Sequence, residues 1–311
     1  MVSRRNVRVK VLQTLYALSR DPAQTPVWAE SFYRQKIGEP YRLYLYSLYL
    51  LVRINSYARK DSAIKASKYL PTEEDLQPAE RLSDNPVALS LEKNNGFQDL
   101  LKKENLLSLP DPDLLRQVYY AFLKTDAVRA YLAEPSPTES AHVEILLKLL
   151  KFVFQHELVK EHLEDHFPNL LDDESLVLGA AKRTIKSLPA NTEFCQDHAP
   201  DPEVVVDFGE NLLYHTVRDD QELMDIIAPS LQNWDPDRLA VLDMIILKMA
   251  VTEFLHCPTV PTKVTLNEYV DIAKEYSTPK SREFVNGVLD RLMKDLLEKG
   301  RIVKEGRGLL E

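Results

Sequence analysis

The stretch NWDPDRLAVLDMIILKMAVTEFLHCPTVPTKVTLNEYVDIAKEYSTPKSREFVNGVLDRL (233–292) decides the fold. Asp235 followed by Pro236 reads as an N-cap with proline at the first helical position, and predicts a helix to about His256. Leu239, Val241, Leu242, Ile245, Ile246, Leu247, Met249, Val251 and Phe254 make that helix apolar on nearly all sides, so it belongs in the centre of a bundle. Thr265 and Glu268 have the T-x-x-E spacing of a capping box and predict a second helix to about Tyr276. Thr278-Pro279 repeats the cap-and-proline pattern and opens a third, ending near Gly300.

Outward from this stretch the pattern stays helical. Val7, Val11, Leu15 and Leu18 form an apolar stripe on a helix over about 3–19, closed by Asp21-Pro22. Helical patterns continue near 26–37, 40–69, 112–133, 138–166 and 173–188, with proline-bearing stretches at 71–78, 110–112, 135–137 and 200–202. The segment PTEEDLQPAERLSDNP (71–86) is polar, acidic and bracketed by proline, the least convincing as ordered structure. With 8 glycines against 19 prolines, and Val, Ile and Thr rarely alternating with polar residues, the chain is expected to be all-α. Its 311 residues accommodate two ordinary domains.

The net charge is −9, but the first 20 residues carry Arg4, Arg5, Arg8, Lys10 and Arg20 and no acid, which leaves −14 for residues 21–311. Such a chain does not attract nucleic acid through its average field, so any such function needs a local basic patch. Cys195 and Cys257 stand 62 residues apart, indicating neither a disulfide framework nor a CxxC metal site and suiting a reducing, cytoplasmic setting. The most apolar run, Leu43–Val52, is too short to span a bilayer and reads as a buried helix. SRRNVRVK at the start superficially resembles a twin-arginine export signal, but Val11–Leu18 is short, holds Gln13 and Thr14 and has no cleavage pattern.

Enzyme signatures are missing. No G-x-G-x-x-G, G-x-x-x-x-G-K-[ST] or G-x-S-x-G occurs, and the protein is expected not to be an enzyme and to use no cofactor. In HELVKEHLEDH (156–166), His162 and His166 share a helical face at i, i+4, but Lys160 stands where an HExxH motif needs its second histidine. A solvated, acid-rich helix face is the better account, and no metal is expected there.

Arg4, Arg5 and Arg8 fall within an arc of about 100° on the first helix. Cations in a first turn oppose the helix dipole, at a cost of a few tenths of a kcal/mol each. Two readings are open: a solvated helix end that keeps an acidic protein soluble, or a phosphate-binding patch.

Both ends of the chain resemble one family. RRNVRVKVLQTLYAL (4–18) resembles the opening helix of the NusB family, and residues 233–292 are similar to its C-terminal bundle. The most specific pieces are VPTKVTLNEYVDIAKEY, matching P-x-x-V-x-x-N-E-x-x-x-x-A-K, and EFVNGVLD, matching F-V-N-G-V-L-D; DFGENLLYHTV matches less specifically. The resemblance implies NusB-like paired helical bundles and a transcription antitermination factor. Such a factor would bind boxA-type single-stranded RNA in nascent ribosomal RNA transcripts together with NusE, a small-subunit ribosomal protein, in the elongation complex.

Carried over residue by residue, it implies an RNA face of Arg4, Arg5, Arg8 and Lys10 for phosphates, with Tyr16 and Phe284 as stacking surfaces and the loop residues Lys280, Ser281 and Arg282. Relatives commonly place an acid where Lys280 stands, so a base-reading carboxylate gives way here to backbone attraction. Glu253 occupies the position that faces NusE, with a helix-surface glutamate as the plain alternative. Gly287 is expected to permit close helix packing, with Asn286 bonding across that contact. The expected organisation is a NusB-like core from 1–20 and 201–300, an inserted helical region of open role over 21–200, and a frayed tail over 301–311. A scaffold that has kept the fold and lost RNA binding is the rival reading. A downstream methyltransferase half, which accompanies some NusB-like domains, is not expected.

Overall fold

The computed structural model describes residues 1–67, 79–231 and 240–309, and among these every regular element is helical. The elements are α1 (Arg4–Arg20), α2 (Pro26–Ala66), α3 (Glu80–Ser83), α4 (Pro86–Glu92), α5 (Asn95–Lys103), α6 (Pro112–Leu123), α7 (Asp126–Ala133), α8 (Glu139–Gln155), α9 (Glu157–His166) and α10 (Leu170–Ser187). A π-helical segment, Glu203–Glu210, then runs directly into α11 (Asn211–Arg218), followed by α12 (Asp220–Ile227), α13 (Val241–His256), α14 (Thr262–Tyr276) and α15 (Ser281–Glu298). The chain divides into two compact units. One is Gly38–Ala199 with Met1, and the other is Val2–Ile37 with Pro200–Glu311. The terminal unit therefore takes more of the chain than expected, because the first part of α2 packs in its core through Tyr33 and Ile37.

Local capping accounts for several breaks that periodicity alone runs across. The pattern over 112–133 is two helices, because Thr125 Oγ1 accepts from the Val128 N–H (3.4 Å) and starts α7. The pattern over 138–166 divides at His156, whose extended backbone ends α8 and begins α9. The reverse happens in α2, where the expected gap before Pro40 is absent. Proline removes one helical hydrogen bond at a cost of about 3 kcal/mol, and burial of Tyr41, Leu43, Tyr44, Leu45 and Tyr46 just beyond it offsets that. Of the doubtful segment, residues 71–78 and the Asp235-Pro236 cap lie outside the described residues, while α3 and the start of α4 are ordered, with Asn85 capping α4.

In the terminal unit α13 is central, as its all-round apolar pattern requires: α1, α11, α12, α14 and α15 pack on it. The T-x-x-E capping box does not form. Helix α14 begins at Thr262, and Thr265 is buried inside it, donating its hydroxyl to Glu253 Oε1 (2.8 Å). Helix α15 begins at Ser281, and at its far end Gly300 (φ +65°) completes a Schellman turn. There Gly300 N–H donates to Leu297 O (3.0 Å) and Arg301 N–H to Leu296 O (2.9 Å).

The segment 301–309, expected to fray, is docked instead. Lys304 Nζ donates to Cys257 O (3.0 Å) and Glu253 O (3.4 Å), satisfying carbonyls at the C-terminus of α13, and Glu305 N–H donates to Pro258 O (3.0 Å). No helix among the described residues is long and apolar enough to cross a membrane.

Candidate nucleic-acid interface

Three basic residues of α1 occupy three different environments. Arg4 is 31% exposed, pairs with Glu203 (3.4 Å) and lies over the Phe208 ring at 5.5 Å. Arg5 is 38% exposed and spans Glu268 (3.3 Å) and Glu275 (3.0 Å) on α14. Arg8 is turned into the core. Its Nε donates to Glu253 Oε2 (2.8 Å) and its Nη2 to Oε1 (2.7 Å), a bidentate pair in which both side chains are buried.

Glu253 is the hub of this cluster. Besides Arg8 it accepts from Thr265 Oγ1 (2.8 Å) and Tyr269 Oη (3.0 Å), and Glu268 stands 3.6 Å from Arg8 on its other side. Burial pulls the Arg8 guanidinium toward losing its proton, but the charge and hydrogen bonds of Glu253 outweigh it, so Arg8 is held more firmly protonated than usual. Burial, then Glu253, pushes the Tyr269 hydroxyl well above its ordinary range, and it stays a donor. Arg8 thus stands where a phosphate contact was expected but is committed inside the protein. Glu253, fully buried, is neither partner-facing nor a helix-surface glutamate.

The other expected residues divide in the same way. Lys10 is buried. Phe284 is 8% exposed and belongs to the core cluster, so it has no open ring face for a base to stack on. Ser281 is buried too. Its Oγ donates to Asp243 Oδ2 (2.8 Å), while Ser277 Oγ donates to Asp243 Oδ1 (2.6 Å), which pins the α14–α15 corner to α13. Tyr16, Lys280 and Arg282 are exposed.

Asn286 and Gly287 are also exposed, and a Cβ built on Gly287 would meet nothing within 4 Å. Close helix packing is therefore not the reason for this glycine. Gly209, by contrast, does permit a close approach. A Cβ there would lie 1.9 Å from the Tyr33 hydroxyl, which donates to Val205 O (2.9 Å). Among the described residues His162 and His166 gather no third ligand: His162 Nε2 is hydrogen-bonded to Tyr46 Oη (2.5 Å) and His166 Nδ1 faces the His162 carbonyl (2.8 Å).

Thr265, Tyr269 and Lys304 were not foreseen around Glu253. Two signals pointed to the cluster. At 100° per residue Arg8 lies only about 20° from Leu15 on the apolar stripe, and an acid within a helix apolar on nearly all sides has to be paired.

Comparison with known proteins places the chain in a family. The NusB family matches residues 179–294. The transcription antitermination protein NusB of Clostridium kluyveri is 31% identical over 146 residues, covering 47% of this chain and 90% of that protein. The chain belongs to the NusB family. The NusB proteins of Salinibacter ruber and Chloroherpeton thalassium are 45% and 38% identical over 104 and 105 residues, about a third of this chain. The chain spans 65% and 50% of their lengths. A comparison with solved structures gives no match. The family match ends inside α15 and leaves out α1, which the Arg8–Glu253 pair nevertheless joins to α13.

Proposed function

We propose that the protein is a transcription antitermination factor that binds boxA-type single-stranded RNA in nascent ribosomal RNA transcripts, together with NusE in the elongation complex. The observation that carries this reading is membership of the NusB family through relatives named transcription antitermination protein. The role is non-catalytic, and its setting is the cytoplasm.

The RNA face proposed is narrower than the resemblance implies: Arg4, Arg5, Lys280 and Arg282 for phosphates, and Tyr16 for stacking. The ion pairs of Arg4 and Arg5 involve partly exposed side chains, a class worth about 0–1 kcal/mol, so a phosphate can displace the carboxylates. Arg8, Lys10, Ser281 and Phe284 act from beneath, by setting α1 and the start of α15 in place. Gly287 supports a partner surface for NusE on α15, since an exposed glycine within a helix costs about 1 kcal/mol relative to alanine and has no packing reason in this chain.

The scaffold reading has one observation in its favour. Each of Arg4, Arg5 and Arg8 already faces a carboxylate of its own chain. Salt dependence separates the two readings. Four cations on single-stranded RNA predict a slope of log K against log salt of about −3, and Arg4, Arg5, Lys280 and Arg282 changed together to alanine should flatten it. No salt-dependent affinity for a boxA-like RNA, with NusE present, would leave the scaffold.

A further inference from the structure

The corner between α11 and α12 meets the C-terminal end of α13. His215, in the last turn of α11, and Asp219, which joins α11 to α12, come from one side; His256, the last residue of α13, comes from the other. Asp219 Oδ2 is 2.8 Å from His215 Nδ1 and 3.7 Å from His256 Nε2. The two imidazoles are stacked, with centroids 3.8 Å apart and planes 11° from parallel. One ligand atom from each of the three side chains lies within 4.8 Å of the others. Donors around a tetrahedral ion with bonds of about 2.0–2.1 Å stand roughly 3.3 Å apart, so closing the set on an ion requires the two imidazoles to splay from their stack until both ring planes meet at it.

The surrounding structure holds these groups in register. Asn211 Nδ2 donates to His256 O (3.2 Å) and Thr216 Oγ1 to Thr252 Oγ1 (3.2 Å), tying α11 to α13 on both sides of the histidine pair. A donor set carried by packed helices loses less on ordering than one carried by loops. The three side chains are 18%, 14% and 31% exposed, open enough to admit an ion and leave a position for water.

We infer that His215, Asp219 and His256 form a binding site for a borderline divalent cation of the zinc, cobalt or nickel class. Two imidazoles and one carboxylate are the donors such ions prefer over magnesium or calcium. The site uses none of the residues proposed for the RNA face. It would staple the α11–α12 corner to the end of α13.

Arg218 is the built-in competitor. Its Nε donates to Asp219 Oδ1 (2.6 Å) and its Nη2 to Oδ2 (3.1 Å), and its guanidinium lies 5.0 Å from the Tyr214 ring centroid. An ion on Oδ2 displaces one of these contacts and can leave the other.

The test is a titration of untagged, chelator-treated full-length protein with Co²⁺, read by its visible absorption, and with Zn²⁺ by calorimetry. One equivalent is expected to bind. His256→Gln and, separately, His215→Gln should each lose it, with circular dichroism showing the helices intact. Removing the competing cation in Arg218→Gln should tighten binding by on the order of tenfold, a gain that a misfolded variant does not produce. The double variant His162→Gln/His166→Gln should bind as wild type. Absence of stoichiometric binding, binding unchanged in His256→Gln, or binding lost in the His162/His166 variant overturns the inference.

Discussion

Each unit buries a carboxylate that accepts from tyrosine, and the two are held in opposite ways. In the terminal unit Glu253 meets Arg8, 245 positions away in the chain, in a dry bidentate pair completed by Thr265 and Tyr269. In the unit of Gly38–Ala199, Asp61 accepts from Tyr119 Oη (3.1 Å) and Tyr120 Oη (2.6 Å), while its cation is Lys65 (2.9 Å), one turn along the same helix and still partly wet. A buried charge needs donors in both cases. The difference lies in what is stranded when the acid goes. Removing Glu253 leaves a guanidinium in the core, whereas Lys65 can turn to water. The first arrangement makes the terminal unit depend on α1, from the opposite end of the chain; the second is nearly local.

The largest expected effect tests that contrast directly. Glu253→Ala should destabilise by about 3–5 kcal/mol, the range for breaking a buried ion pair, and Asp61→Ala by about 1–3 kcal/mol, the range for stranding hydrogen-bond donors. Urea unfolding measures both, and equal losses would break the comparison. Gly209→Ala comes next. Its methyl must displace the Tyr33 hydroxyl that docks α2 on the π-helical segment, an overpacking cost of about 1–3 kcal/mol. Gly287→Ala should instead raise stability by about 1 kcal/mol, since the added methyl meets open space. If NusE docks there, the same substitution weakens its binding.

The smallest effect reads the second carboxylate alone. The Tyr120 hydroxyl is pushed up to about 12, first by its hydrogen bond to Asp61 and then by burial. A group raised in the folded state contributes stability that is complete below its unfolded value, here 10.0, and is lost as pH rises through about 12. Asp61→Asn should move the Tyr120 titration toward 10.0, as seen by tyrosinate absorbance, and narrow that alkaline window.

Legibility along the chain follows how local the physics is. The central place of α13 and the stripe Val7–Val11–Leu15 could be read because burial of a whole helical face repeats every turn. Thr265 was misread because its hydroxyl has two uses, a cap or a core donor, and the choice depends on Glu253, which stands on another helix. Phe284 and Ser281 carry the family pattern, yet their side chains hold the fold together; a pattern match does not tell a residue that touches a partner from one that positions it. Lys304 belongs to a segment that looks solvated until the end of α13 offers it carbonyls.

The sequence by itself determined an all-α chain, the helix at its centre and the family to which it belongs, because periodicity and short-range spacing express forces acting within a few turns. Tertiary structure alone decided which of Arg4, Arg5 and Arg8 stays at the surface. On one helix the three are neighbours with the same charge. The packing of α1 against α13 and the π-helical segment takes Arg8 out of water, and the bidentate pair with Glu253 makes that burial tolerable.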